Sequence, residues 1–253
     1  MRHTTINMTT IRIISSSSSA NGYILESGGQ TLVLELGCKM MDYTWDVGDA
    51  FNTIKGCIVT HWHTDHLNKS TAKEFIRRGI PVFFGEKVYE ELLKEGSIRG
   101  IKPLPMAQKT FVGGFTVQPF EVAHNVPNYG FLIVTPTKER IVFVTDAMGC
   151  PYNFNDIDCI MVECNHDDDT LIDNFVNAEQ SRSHPENHMG LEDCIDFCKR
   201  NVSVTTKQII LIHMSHTNIN EDFALKSVQD VFPFVNVAVA HSGDVFEVES
   251  DNF

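Results

Sequence analysis

No run in this 253-residue chain approaches the roughly 20 apolar residues that a membrane-spanning helix needs, so the sequence predicts no membrane span. The N-terminal stretch Met1-Arg2-His3-Thr4-Thr5 lacks the apolar segment of a secretory leader, and a cytoplasmic location is expected. Seven cysteines, an odd number with no C-x-x-C pair, argue against a disulfide framework and for reduced thiols. Cys194 and Cys198, four apart, are expected on the apolar face of a helix. Positive charge is scarce as well: 20 Lys and Arg against 33 Asp and Glu leave a net −13. A protein that tracks a nucleic-acid duplex draws affinity from counterion release along a basic stripe. Here the longest basic clusters are the pairs Arg77-Arg78 and Lys199-Arg200. Nor does any low-complexity linker divide the chain, so one domain over residues 1–253 is expected.

What is present is a dense set of metal-ligand side chains. Thr60-His61-Trp62-His63-Thr64-Asp65-His66 follows the apolar run Cys57-Ile58-Val59 and places three imidazoles and a carboxylate within six residues. Alternate residues on an extended segment project to one side, so His61 and His63 can share an ion. Asp65 and His66 fall where the chain turns and can reach a second ion, the arrangement that clamps both attacking and leaving oxygens in a displacement.

This H-x-H-x-D-H pattern at the end of a strand resembles the metallo-β-lactamase fold superfamily, which implies an α/β, four-layer αββα architecture and further ligands downstream. The resemblance assigns His124, after the alternating run Phe115 to Ala123, as the third imidazole of the first ion. It assigns Asp146, after Ile141 to Thr145, as the bridge, and His213, after Ile209 to Ile212, as the last imidazole of the second ion. His216, three residues on, stands as the alternative to His213. A narrower likeness runs through most of the chain. Ser15 to Gly22 is similar to the Ser-Gly-rich N-terminal signature of a nuclease-like branch related to ribonuclease Z. Glu163-Cys164-Asn165-His166-Asp167, Asn187-His188-Met189 and His213-Met214-Ser215-His216-Thr217-Asn218 resemble further segments of its YycJ/WalJ group. The chain departs from that pattern at Glu35, where most relatives carry Asp, at Trp62, and in the Asn-His-Met-Gly reading of the second segment.

Periodicity predicts strands over Ile11–Ile14, Gly22–Glu26 and Thr31–Leu36, with Gly28-Gly29 as a hairpin turn, then Cys57–Thr60 and Pro81–Phe84. Helices are expected from about Ser70 to Arg78 and from Glu86 to Lys94. A second half repeats the scheme with strands Phe115–Ala123, Tyr129–Thr135, Arg140–Thr145, Cys159–Glu163 and Gln208–Ile212. Helices follow over Gly190–Arg200 and Glu221–Val231, and strands Val235–Ala240 and Val245–Val248 complete it. The serine run is read as a turn beneath the metals. Asp42, Asp46 and Asp49, interleaved with Tyr43 and Trp45, are read as an acidic surface loop bordering the cleft. His3 and His184 are expected to face solvent.

The resemblance implies two divalent ions, zinc or manganese, and a metal-bound hydroxide that attacks a nucleotide or nucleic-acid phosphodiester. Asp65 could also orient the attacking water. His188 would protonate the leaving alkoxide and Glu163 would fix its tautomer; without the resemblance, Ser183 to His188 reads as a polar helix cap. Exonuclease-like activity competes with hydrolysis of a small cyclic nucleotide, which the negative charge favours. A non-catalytic metal-binding scaffold is the reading from another class, and a homodimer is left open.

Overall fold

The computed structural model describes residues 8–167, 170 and 187–249. His3 and the segment from Ser183 to Glu186, with His184, lie outside them. From the N-terminal side the chain forms β1 (Thr9–Ser17), β2 (Ala20–Ser27) and β3 (Gln30–Leu34), then α1 (Met40–Val47) and a 3-10 segment (Gly48–Thr53). β4 (Ile54–Val59), α2 (Lys69–Arg77), β5 (Val82–Gly85), α3 (Glu86–Glu95) and β6 (Lys102–Leu104) complete a first half. The second half runs through β7 (Thr110–Val112), β8 (Phe115–Val122), β9 (Asn128–Val134), β10 (Arg140–Val144) and β11 (Cys159–Glu163). It continues with α4 (Leu191–Asn201), β12 (Gln208–Ile212), α5 (Glu221–Val231), β13 (Asn236–Val239) and β14 (Val245–Val248).

The strands make two seven-stranded sheets, ordered β14-β1-β2-β3-β4-β5-β6 and β13-β12-β11-β10-β9-β8-β7. Each sheet changes from antiparallel to parallel pairing at one strand, β3 in the first and β10 in the second. β10 and β12 show why the second sheet is an inner layer. Ile141 and Phe143, Ile210 and Ile212 point into the core between the sheets, while Val142 and Val144, Ile209 and Leu211 pack on the other face with Cys194, Phe197, Cys198 and Val228 of α4 and α5. Strands buried on both faces read as near-continuous apolar runs, and each such side chain contributes roughly 1.5–3 kcal/mol through burial. Ala72, Phe75, Val88 and Leu92 of α2 and α3 cover the outer face of the first sheet, so the layers stack α, β, β, α. Tyr23 of β2 and Phe143 of β10 meet edge-on between the sheets, ring centres 5.4 Å apart.

Two expectations need correction. The serine run is not a turn as a whole: Ser15, Ser16 and Ser17 continue β1 past an irregularity at Ile13/Ser15 and pair with Gly22, Asn21 and Ala20, leaving only Ser18 and Ser19 at the bend. Backbone pairing with β2 there overrides serine's turn preference. The acidic stretch is helical from Met40 to Val47, and Tyr43 turns away from solvent, fully buried, to donate to the Glu35 carbonyl at 3.0 Å. Tyr43 therefore walls no cleft. Four short elements, α1, the 3-10 segment, β6 and β7, were not expected from periodicity. Among the described residues no helix is long and apolar enough to cross a membrane.

Candidate metal centre

Every candidate ligand sits just past the end of a strand, where the backbone leaves the ladder and side chains become free to converge. The H-x-H-x-D-H segment follows β4, His124 follows β8, Asp146 follows β10, and His213 follows β12. His61, His63, His124 and Asp146 offer ligand atoms within 4.8 Å of one another. Asp65, His66, Asp146 and His213 form a second such group, and Asp146, Glu163, His188 and His213 a third. All nine predicted residues thus come together, and Asp146 belongs to every group. His216, the alternative to His213, is exposed.

Asp146 is central in detail as well. Its Oδ2 lies 3.5 Å from His61 Nε2 and 3.7 Å from His124 Nε2, while Oδ1 lies 3.2 Å from His66 Nε2 and 3.4 Å from His213 Nε2. Asp65 Oδ2 faces the same two nitrogens, at 3.0 Å from His66 Nε2 and 3.3 Å from His213 Nε2. Asp146 and His213 have φ of +50° and +52°, and Glu35, beside them, +62°. A left-handed backbone costs a non-glycine residue about 1–3 kcal/mol and persists where surrounding structure imposes it. Asn128 helps impose it by donating to the carbonyls of Thr145 and Asp146 at 3.0 and 2.6 Å. The loop bearing Asp65 is held equally closely: a Cβ added to Gly37 would stand 1.7 Å from the Asp65 carbonyl oxygen.

The donor set fits divalent cations. His61 Nε2 is buried without a hydrogen-bond partner, a cost of about 1–3 kcal/mol for a polar atom that ligation would offset. Burial, together with the neighbouring imidazoles, lowers the pKa of His61, and burial lowers those of His63 and His124; these three favour the neutral form that binds metals. Burial also opposes charge on His66 and His213, but the surrounding carboxylates overcome it, raising His66 and pushing His213 up to about 10. Burial works against ionised Asp65 and Asp146 too, and the imidazoles outweigh it and hold both carboxyls below the usual range. Such a concentration of buried carboxylate demands positive charge, and a dication meets that demand. Imidazole and carboxylate together suit zinc, manganese or iron.

Glu163 and His188 stand beside this set. Glu163 Oε1 lies 2.7 Å from His188 Nδ1 and 3.1 Å from His213 Nδ1, while Oε2 accepts from the backbone N–H groups of Ala147 and Met189. The His188 and His213 rings stack at 5.3 Å. Burial is the largest influence on His188 and disfavours its imidazolium, but the bond to Glu163 and the charges of Glu163 and Asp146 together outweigh it and raise its pKa.

Several supporting residues escaped sequence reasoning. Asn165 donates to the His213 carbonyl at 2.9 Å, Ser16 accepts from the His213 N–H at 2.9 Å, and Thr60 Oγ1 lies 2.9 Å from His61 Nδ1. Glu35, noted only as a departure, accepts from Thr60 N–H and faces His66 Nδ1 at 3.6 Å. Ser16 and Asn165 lie inside segments of the narrower likeness, Thr60 opens the histidine motif and Glu35 is a departure from the family pattern, but nothing in the sequence gave any of them these roles.

The profile of the β-lactamase superfamily domain matches residues 40–214. The chain belongs to that superfamily, and its two mixed sheets flanked by helices are the α/β metallo-β-lactamase fold. Among solved structures it is similar to the metallo-β-lactamase fold protein YhfI from Bacillus subtilis, with 20% identity and a TM-score of 0.72 over 95% of this chain and 99% of that one. A diphosphatase from the PhnP family shares 15% identity at a TM-score of 0.68, covering 96% and 98%. Human tRNase Z, short form, shares 13% at a TM-score of 0.62, covering 95% and 99%. No curated protein sequence matches the chain.

Proposed function

We propose that the chain is a metal-dependent hydrolase of phosphodiesters, with His61, His63 and His124 holding one divalent ion, Asp65, His66 and His213 a second, and Asp146 shared between them. The observation that carries this reading is the pair of ligand groups joined through the two oxygens of Asp146. The likeness to a diphosphatase and to a tRNase Z supports phosphorus as the electrophile. Zinc or manganese in such a site would supply Lewis-acid chemistry, drawing charge from a phosphoryl oxygen and making water more acidic.

The chain's own groups supply the rest. Asp65 is 17% exposed at its side chain, the open carboxylate of the set, and is placed to orient an attacking water or hold its proton. Glu163 occupies Nδ1 of His188, which leaves Nε2 to protonate a departing alkoxide, a role worth roughly 10²–10⁴-fold in rate. The same arrangement supports a place in the YycJ/WalJ and ribonuclease Z-related branch, with residues 1–253 acting as one hydrolase domain.

Within that class a small nucleotide, such as a cyclic nucleotide, is the better-supported substrate than long DNA or RNA. The chain carries a net −13. Beside His124 lies a cleft of about 270 Å³, lined by Glu121, Val126, Pro127 and Tyr129, with Lys87 as its cation. That is just below the roughly 300–1,000 Å³ of typical small-molecule sites. A turnover screen of the metal-reconstituted protein against bis-p-nitrophenyl phosphate, cyclic mononucleotides and end-labelled single and double strands tests the reading. Hydrolysis of the activated diester and of a cyclic mononucleotide is expected, with a shallow salt dependence. Preference for long strands with a steep salt slope would reverse the substrate assignment, and metal binding without turnover would leave a scaffold.

A further inference from the structure

The polar contacts of Asn21 fall on one ligand group of the centre and not on the other. Asn21, the second residue of β2, is fully buried. Its backbone N–H donates to the Asp65 carbonyl at 2.7 Å, and its side-chain Nδ2 stands 3.3 Å from Asp65 Oδ2 and 3.1 Å from His66 Nε2. The amide is locked in that orientation. Oδ1 accepts from the Ser17 N–H at 3.1 Å and from the Tyr23 hydroxyl at 3.2 Å, while Nδ2 also donates to the Ser17 carbonyl at 2.9 Å.

The connection extends to a third ligand. Ser16 Oγ lies 3.0 Å from the Tyr23 hydroxyl and accepts from the His213 N–H at 2.9 Å. Each hydroxyl has one proton to give, so the direction follows from Tyr23 giving its own to Asn21. His213 N–H donates to Ser16, Ser16 to Tyr23, and Tyr23 to Asn21 Oδ1. One hairpin, β1 to β2, therefore holds Asp65 through an amide and His213 through two hydroxyls. Among the described residues none of these bonds reaches His61, His63 or His124.

We propose that Asn21 is a positioning residue for the second metal ion alone, setting its affinity by orienting Asp65 directly and His213 through Tyr23 and Ser16; this rests on the two-ion reading above. Partners that orient ligands without touching the metal typically govern 10–100-fold in affinity. A general packing role would instead lower both affinities together with overall stability.

The test is a titration of the metal-stripped full chain with zinc, read by competition with a chromophoric chelator, and needs no turnover. His63→Ala and His66→Ala mark which binding step belongs to which ligand group. Asn21→Ala is expected to weaken the Asp65/His66/His213 step by roughly 10–100-fold and to leave the His61/His63/His124 step within about twofold. Tyr23→Phe, which removes one hydroxyl and keeps the ring against Phe143, is expected to weaken the same step by a smaller factor. Equal weakening of both steps in these variants, or of neither, overturns the role given to Asn21. A wild-type chain that takes up one ion overturns the two-ion reading itself, so the two failures are distinguishable.

Discussion

Glu35 and Asp146 hold matching positions in the two halves of the chain and bracket one imidazole between them. Each lies just past the strand at which its sheet changes from antiparallel to parallel pairing, each is buried, and each has positive φ. Glu35 Oε1 faces His66 Nδ1 at 3.6 Å, and Asp146 Oδ1 faces His66 Nε2 at 3.2 Å. One carboxylate can orient the ring from behind while the other shares its ligand side, the arrangement that fixes a metal-binding histidine's tautomer.

The two carboxylates should differ in reach when removed. Asp146→Ala is expected to depress metal occupancy in both ligand groups, whereas Glu35→Ala should weaken only the group containing His66, by roughly 10–100-fold. Elemental analysis and chelator competition check this. Two ions bound at wild-type affinity in Asp146→Ala would remove it from the bridging position.

Gly37→Ala should be among the most damaging single-methyl additions in the chain, because the new carbon would sit 1.7 Å from a backbone oxygen that cannot move without dragging Asp65. Overpacking typically costs about 1–3 kcal/mol and occasionally more, and a backbone obstacle places this case at the upper end. Urea unfolding and metal content should fall together. A variant of wild-type stability that retains both ions would show that the loop adapts freely.

His188→Ala should retain both ions yet lose roughly 100-fold or more in turnover of a substrate with an alkoxide leaving group. A p-nitrophenolate ester, whose leaving group needs little protonation, should suffer far less. Glu163→Gln should share that selectivity more weakly, with an added loss of metal affinity because Glu163 also lies 3.1 Å from His213 Nδ1. Equal losses of His188→Ala on both substrates would reject the proton-donor role.

Away from the centre, Glu139 predicts a pH effect on stability. It is buried where the start of β1 meets the β9–β10 turn and accepts from the hydroxyls of Thr9, Thr135 and Thr137. Burial pushes its pKa up, but these hydroxyls together outweigh it and hold the carboxyl below its usual 4.5. Because the folded value is the lower one, the contribution is complete above the unfolded pKa and is lost as pH falls through the folded value. The stability difference between wild type and Glu139→Gln should therefore be largest near neutrality and shrink between roughly pH 5 and pH 3. Urea midpoints across that range decide it, and a difference independent of pH rejects it.

The strands that lead to the candidate ligands were legible because their apolar runs end at chemically unusual residues: Cys57 to Val59 before His61, Ile209 to Ile212 before His213. α1 was not legible. Over eight residues it offers too short a period to detect, and Asp42 caps it through the Lys39 N–H at 2.9 Å, a contact indistinguishable in sequence from a loop. β6 is three residues long, with Pro103 at its centre, tolerable because it forms the sheet's edge. The candidate ligands could be proposed from motif and family likeness; Asn165, Ser16 and Asn21 lay inside segments of that likeness, yet nothing there gave them a role. Their roles depend on which backbone groups the fold brings opposite them, a matter of register that composition does not encode.

The edge-on contact of Tyr23 with Phe143 has a consequence well beyond packing. Phe143 lies three residues before Asp146, and the Tyr23 hydroxyl belongs to the hydrogen-bond chain that ends at His213. The four-residue motif comes from the first sheet, while His124, Asp146 and His213 come from the second. A slight slide of one sheet over the other would therefore change ligand spacing before it exposed any core. Metal affinity in this protein is thus a gauge of how the two halves are seated, and core substitutions remote from the cleft should register there while the unfolding midpoint is still nearly unchanged.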